Sequence, residues 1–217
     1  MVKQTERQRF EDQSNHYFAE ALSNPNSWLG TAANLILVCE KIETEIPVLW
    51  KGILDDKSEL PTLFTHPEKM EHRLLDTYLM LMGFAMENIL KAIIVSQDPN
   101  AYKNKALRQK KLPADLDGHG LLELAASINF ELDAEEKSVL GRLEDHLVWA
   151  GRYPVPTKPS SYDHAFAIPS RTSSLFRMYT NTDIHTVKHI IERLQAEFHV
   201  TLPKVAGYPV AQADGEK

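Results

Sequence analysis

A single cysteine, nine glycines and the lack of any uninterrupted apolar run of membrane-spanning length set the first limits on this 217-residue chain. With Cys39 alone, no intrachain disulfide can form, so the core must hold without covalent staples. The start, MVKQTERQRFEDQ, is polar and charged and does not read as a secretory signal. Together these predict a reducing, cytoplasmic setting and no membrane partner. Strand-like alternation is almost absent, which argues against a sheet-based fold. The net charge of −6 offers no chain-wide basic surface, so any anion-binding surface must be local. There is no Gly-rich phosphate loop, no Gly-x-Ser-x-Gly elbow, no cysteine pair for zinc and no Cys–His dyad. Cys39 lies on an apolar seam and reads as core. No cofactor and no metal ion are expected.

What is present is helical periodicity. A first helix is predicted over about Lys3 to Leu22, with Phe10, Tyr17, Phe18, Ala21 and Leu22 on one side, broken at Asn24-Pro25-Asn26. Ser27 is the expected N-cap of a second helix, whose stripe is Leu29, Ala32, Ile36, Cys39, Ile42, Ile46 and Leu49. Pro67 suits the first turn of a third helix, apolar on nearly all faces from Leu74 to Ile94 and therefore central. Asp98-Pro99-Asn100 ends it, and residues 101–117 read as a connector. A short helix follows Gly118-His119. Another begins at the capping Asp133 and buries Val139, Leu140, Leu143, Leu147 and Ala150. The prolines between Gly151 and Tyr179 hold a long connector extended. The last helix starts near Asp183, with Ile184, Val187, Ile191, Leu194 and Phe198 facing inward. The expectation is an all-α protein, a five- or six-helix up-and-down bundle. Residues 1–203 form one domain containing the long irregular connector 151–180, and 204–217 form a flexible tail.

Five constellations could carry chemistry. Glu87 and Lys91 stand four residues apart on the apolar third helix, either as a narrow solvated stripe or as a polar site between helices. His119 sits between Gly118 and Gly120, which allow close approach of other groups. Arg142, His146, Trp149 and Tyr153 share one helix face if the helix continues, with Arg152 beside them. Arg and His suit a phosphate, and Trp or Tyr a stacked base. His185, His189 and Glu192 share a face with metal-ligand spacing, for which an exposed helix face is the simpler reading. Lys103, Lys105, Arg108, Lys110 and Lys111 place five cations in nine residues with no acid among them.

The segment Tyr78-Leu79-Met80-Leu81-Met82-Gly83-Phe84-Ala85-Met86-Glu87-Asn88-Ile89-Leu90-Lys91 resembles the central helix of HEPN domains. Gly118-His119-Gly120-Leu121 is similar to the Gly-His-Asp-Leu segment that opens a later helix in many members, with Gly120 in place of the Asp. Trp149-Ala150-Gly151-Arg152-Tyr153-Pro154 resembles an ending found in some HEPN-like proteins. The resemblance covers roughly residues 70–160. It implies a HEPN-like bundle, frequent homodimers, and either a metal-independent ribonuclease of a toxin or antiviral role or a binder of a nucleotide or protein partner. Under the catalytic reading, His119 or His146 moves the proton of a ribose 2′-OH and Arg142 or Arg152 neutralises phosphate charge. Glu87 and Lys91 position them, and the basic cluster with Trp149 and Tyr153 binds RNA. The ribonuclease members carry an Arg followed after roughly four to six residues by a His. In this chain that spacing occurs outside the matched region, as in Arg9 and His16 on the first helix, whereas Arg142 and His146 stand closer.

Overall fold

Apolar residues on every face of one long segment leave a chain a single solution, which is to surround that segment with other helices. In the computed structural model, which describes residues 6–44, 70–150 and 183–204, this is what the chain does. The elements are α1 (Glu6–Ser23), α2 (Pro25–Glu43), α3 (Met70–Gln97), α4 (Pro99–Gln109), α5 (Leu121–Ser127), α6 (Ala134–Asp145), a five-residue π turn (His146–Ala150) and α7 (Asp183–Glu197). All regular structure among the described residues is helical, and the architecture is a helical bundle.

Helix α3 is the axis. Tyr78, Leu79, Met82, Met86, Ile89, Leu90 and Ile93 are each at most 2% exposed. By length and composition alone Leu74–Gln97 could cross a membrane, a property hidden from a search for uninterrupted apolar runs, yet 72% of its apolar window is buried inside the fold. Helix α2 lies along α3, while α5, α6, the π turn and α7 cover its other sides. Cys39 on α2 is buried as its seam position predicts, and burial pushes its thiol up to about 12. At Gly83 the side chain of Leu147 comes within 3.0 Å of where a Cβ would stand, so the missing side chain lets the π turn approach the α3 backbone.

The structure corrects the expected number and limits of the helices: seven α-helices and a π turn stand among the described residues, against five or six predicted. The Asp98-Pro99 junction supplies the additional helix, and the Asn24-Pro25 junction moves the start of α2. Each ends one helix and starts the next, because the Asx side chain caps while proline at the first position forgoes an N–H that has no partner there. Asn24 accepts from the Asn26 N–H at 3.1 Å, so the cap of α2 is Asn24 and not Ser27. Asp98 accepts from the Ala101 N–H at 2.9 Å, so much of the expected connector is helix α4. Helix α6 begins as the sequence predicts, with Asp133 and Glu136 forming a reciprocal capping box.

Two faces are also corrected. On α1 the inward residues are Ala19, Leu22 and Ser23, whereas Phe10, Tyr17, Phe18 and Ala21 are exposed, Phe10 at 72%. Small residues let α1 approach α4 closely, and Phe10 and Tyr17 lie on the opposite side of the helix. His146 still continues the helix, its N–H bonding to the Arg142 oxygen, but its side chain is fully buried while Arg142 turns to Asp183; the π turn then follows. The side chain of Trp149, the connector 151–180 with Arg152 and Tyr153, and nearly all of the tail 204–217 lie outside the described residues.

Truncating the axis should open a cavity. Ile89→Ala or Leu79→Ala is expected to lower unfolding free energy by about 2–5 kcal/mol in urea titration.

Candidate functional site

Helix α3 keeps a half-exposed stripe through Thr77, Leu81, Phe84 and Asn88, yet the charged residues Glu87 and Lys91 lie off that stripe. Their exposures are 6% and 3%, so the pair is a polar site between helices and not a solvated stripe. Charges so placed require partners within the protein, since each loses several kcal/mol of hydration. The four-residue spacing brings Lys91 Nζ to 2.5 Å from Glu87 Oε1. Nζ also donates to the backbone oxygen of Gly118 at 2.9 Å, and lies 5.9 Å from the centre of the Trp28 ring. That indole is fixed by its own Nε1–H, which donates to the Leu22 carbonyl at 2.8 Å.

The second carboxylate oxygen of Glu87 faces His119 Nδ1 at 2.8 Å. The imidazole stands edge-on to Phe84, with ring centres 5.9 Å apart. Glu87 shares a hydrogen bond with the Lys91 ammonium and acts as acceptor, so Nδ1 carries the proton that is donated to it. Neutral His119 therefore holds its lone pair on Nε2. The side chain is 43% exposed, against 7% for Glu87. A buried carboxylate that sets the tautomer of a partly exposed imidazole is the arrangement needed for proton transfer at Nε2.

The remaining predicted residues lie elsewhere or serve other partners. Arg142 forms a fork on Asp183, with Nε and one terminal nitrogen at 2.8 and 2.6 Å, and ties α6 to the start of α7. His146 Nδ1 is 3.9 Å from Asp76 Oδ1. Asp76 and Glu87 stand three turns apart on one face of α3, about 16 Å along the axis, so His146 and His119 mark two separate places. Lys103 pairs with Glu20, and Lys105 with Asp115 at 3.0 Å over the Tyr102 ring. Arg108, Lys110 and Lys111 are exposed at the end of α4 and just beyond it. Arg9 is exposed on α1, and His16 lies 3.4 Å from Glu20. His185, His189 and Glu192 are exposed on α7, and no metal-holding group of three His, Cys, Asp or Glu side chains occurs among the described residues.

Sequence reasoning missed Trp28, Asp76 and Glu144. Asp76 could have been found, because positions 76, 80, 83 and 87 form one face of a helix. Burial pushes its carboxyl up to about 7.

Two outcomes follow. Glu87→Gln should cost about 3–5 kcal/mol, because it strands the buried ammonium of Lys91. Adding Lys91→Met should recover much of that loss; strict additivity in urea unfolding would show that the two groups are not coupled. For Asp76, a raised native pKa means the folded chain holds a proton that the unfolded chain has released. Its contribution therefore falls as pH rises from about 4 to 7. Between pH 5 and 8 the protein should lose about 2 kcal/mol more than its Asp76→Asn variant in denaturant titrations.

No protein-family model matches the chain, and no curated protein or solved structure matches it either.

Proposed function

We propose that the chain is a HEPN-like protein that acts on RNA as a metal-independent ribonuclease, with His119 as the proton-transfer group. The observation that carries this reading is the Glu87–His119 hydrogen bond, which turns the Nε2 lone pair away from the buried carboxylate. In the proposed reaction Nε2 takes the proton of a ribose 2′-OH. The oxygen attacks the adjacent phosphorus, the bond to the 5′-oxygen breaks, and that oxygen takes up a proton as it leaves. The products are a 2′,3′-cyclic phosphate and a 5′-hydroxyl. Arg142 is committed to Asp183, so the cation facing the phosphate is assigned from the sequence to Arg152. Exposed Arg108, Lys110 and Lys111 supply local positive charge for the strand. The up-and-down order of the bundle, a homodimer, a cytoplasmic setting and a toxin or antiviral role belong to the same proposal.

A second reading, a non-catalytic helical protein that binds a nucleotide or a protein partner, draws on α1. Phe10 and Tyr17 stand 72% and 64% exposed opposite the buried side of that helix, and proton transfer at His119 gives them no task.

End-labelled RNA incubated with the purified protein in EDTA separates the readings. Cleavage leaving cyclic-phosphate ends, reduced about 100-fold or more in His119→Ala, is the expected result. Cleavage unchanged in that variant would remove His119 from the proposal. Folded protein that binds RNA or a nucleotide without cutting would favour the second reading.

A further inference from the structure

We infer that Glu144 is a positioning residue for His119, holding the imidazole in register with Glu87 by capping a helix start that has no cap of its own. The inference rests on the reading of His119 as the proton-transfer group.

Helix α5 begins at Leu121, two residues after His119, and its first N–H groups require acceptors. The usual source is the side chain at the N-cap position, but that position is Gly120, which provides no side-chain hydrogen bond. The acceptor comes from the last turn of α6: Glu144 Oε1 accepts from the Leu122 N–H at 2.8 Å, and the Leu121 N–H faces the same carboxylate. Burial raises the Glu144 carboxyl above its ordinary range, with Asp145 and Glu123 adding repulsion, while the two N–H groups pull it down. An acid in so unfavourable a place is retained by what it binds.

The segment Gly118–His119–Gly120 is thus tied at both ends by charged side chains from different helices. Lys91 of α3 holds the Gly118 oxygen, and Glu144 of α6 holds the Leu122 N–H just past Gly120. His119 lies between these ties, and its Nδ1 meets Glu87 only while both keep the segment in place. The bonds of Glu144 run to backbone N–H groups, so it acts on the ring through the chain.

The geometry also supplies a suppressor. Gly120 has φ −76° and ψ 92°, which other residues adopt freely. A Cβ there would meet only the side chain of Glu123, 3.2 Å from its Oε2, and the tip of that side chain can swing aside. Gly120→Asp can therefore provide at the N-cap the acceptor that Glu144 now brings from α6.

The test is nuclear magnetic resonance of the full chain carrying Glu144→Ala, Glu144→Gln or the pair Glu144→Ala/Gly120→Asp, alongside the RNA cleavage assay. Glu144→Ala should speed amide exchange at Leu121 and Leu122 about 5- to 30-fold. It should also replace the single Nδ1–H signature of the His119 imidazole nitrogens with a mixture of tautomers. Glu144→Gln, which keeps an oxygen acceptor without the charge, should fall between, and it carries the test if the alanine variant does not fold. Adding Gly120→Asp should restore both signals, and in an active protein kcat more than KM. Faster amide exchange with an unchanged imidazole signature would overturn the inference and leave Glu144 a helix cap alone. The ring is read without substrate, so an absence of RNA cleavage by the unaltered protein would count against the proposed function and not against this inference.

Discussion

Glu87 and Lys91 are charged groups placed where almost no water reaches, and every remaining valence of the pair must be met by protein. The Coulomb attraction at a four-residue spacing offsets part of the lost hydration and leaves a carboxylate oxygen and ammonium hydrogens to satisfy. The second oxygen goes to His119 and an ammonium hydrogen to the Gly118 carbonyl. The loop before α5 is therefore where it is because the ion pair in α3 needs it there. Placement of Trp28 follows the same demand, since its ring lies beside the ammonium while its N–H reaches back to the end of α1. A constraint inside one helix in this way organises the junction of α1 and α2, the start of α5 and the imidazole edge that meets Glu87.

The parts of this arrangement legible in the sequence are those whose cause is local. The all-apolar face pattern of α3, the seam of α7 from Ile184 to Leu194 and the Asp133 cap each depend on residues within one or two turns. The Asx-Pro junctions are local too, yet each reads as a break in the sequence. A proline that cannot continue one helix is well suited to begin another, and the two uses look alike in sequence. The buried side of helix α1 is hidden in the sequence for a different reason. Aromatic side chains usually mark the buried side, yet here the bundle contacts α1 through Ala19, Leu22 and Ser23, where close approach requires small groups.

Contacts between distant residues were not legible at all. Nothing near Arg142 announces Asp183, forty-one residues on, and the pairing removes Arg142 from any phosphate. The same holds for Glu144 and Leu122. The basic cluster in α4 has no acid within it, but the fold brings Glu20 to Lys103 and Asp115 to Lys105. Local charge density overstates the field of a segment whose neighbours carry the opposite sign. The grouping of Glu87, Lys91 and His119 came from a resemblance and not from spacing, because no periodicity relates α3 to the loop before α5.

The ion pairs of the bundle differ in what they leave over. Among the described residues helix α7 is tied by three of them: Arg142 to Asp183, Lys188 to Glu43, and Arg193 to Glu136. In the last, both Glu136 oxygens take Arg193 Nη1, at 2.5 and 2.7 Å, and one also accepts from the Asp133 N–H. The other Arg193 terminal nitrogen reaches the Glu131 carbonyl, and the guanidinium lies over Phe130. That acid and base spend their capacity on one another and on the backbone, which suits a strut. Glu87 is different because one of its partners is itself bifunctional. An imidazole that gives one nitrogen to a buried carboxylate still has the other, and with 43% of its side chain exposed His119 can engage a molecule from outside. The Glu87–Lys91–His119 cluster therefore differs from the charged ties of α7 in the capacity it leaves over for a molecule from outside.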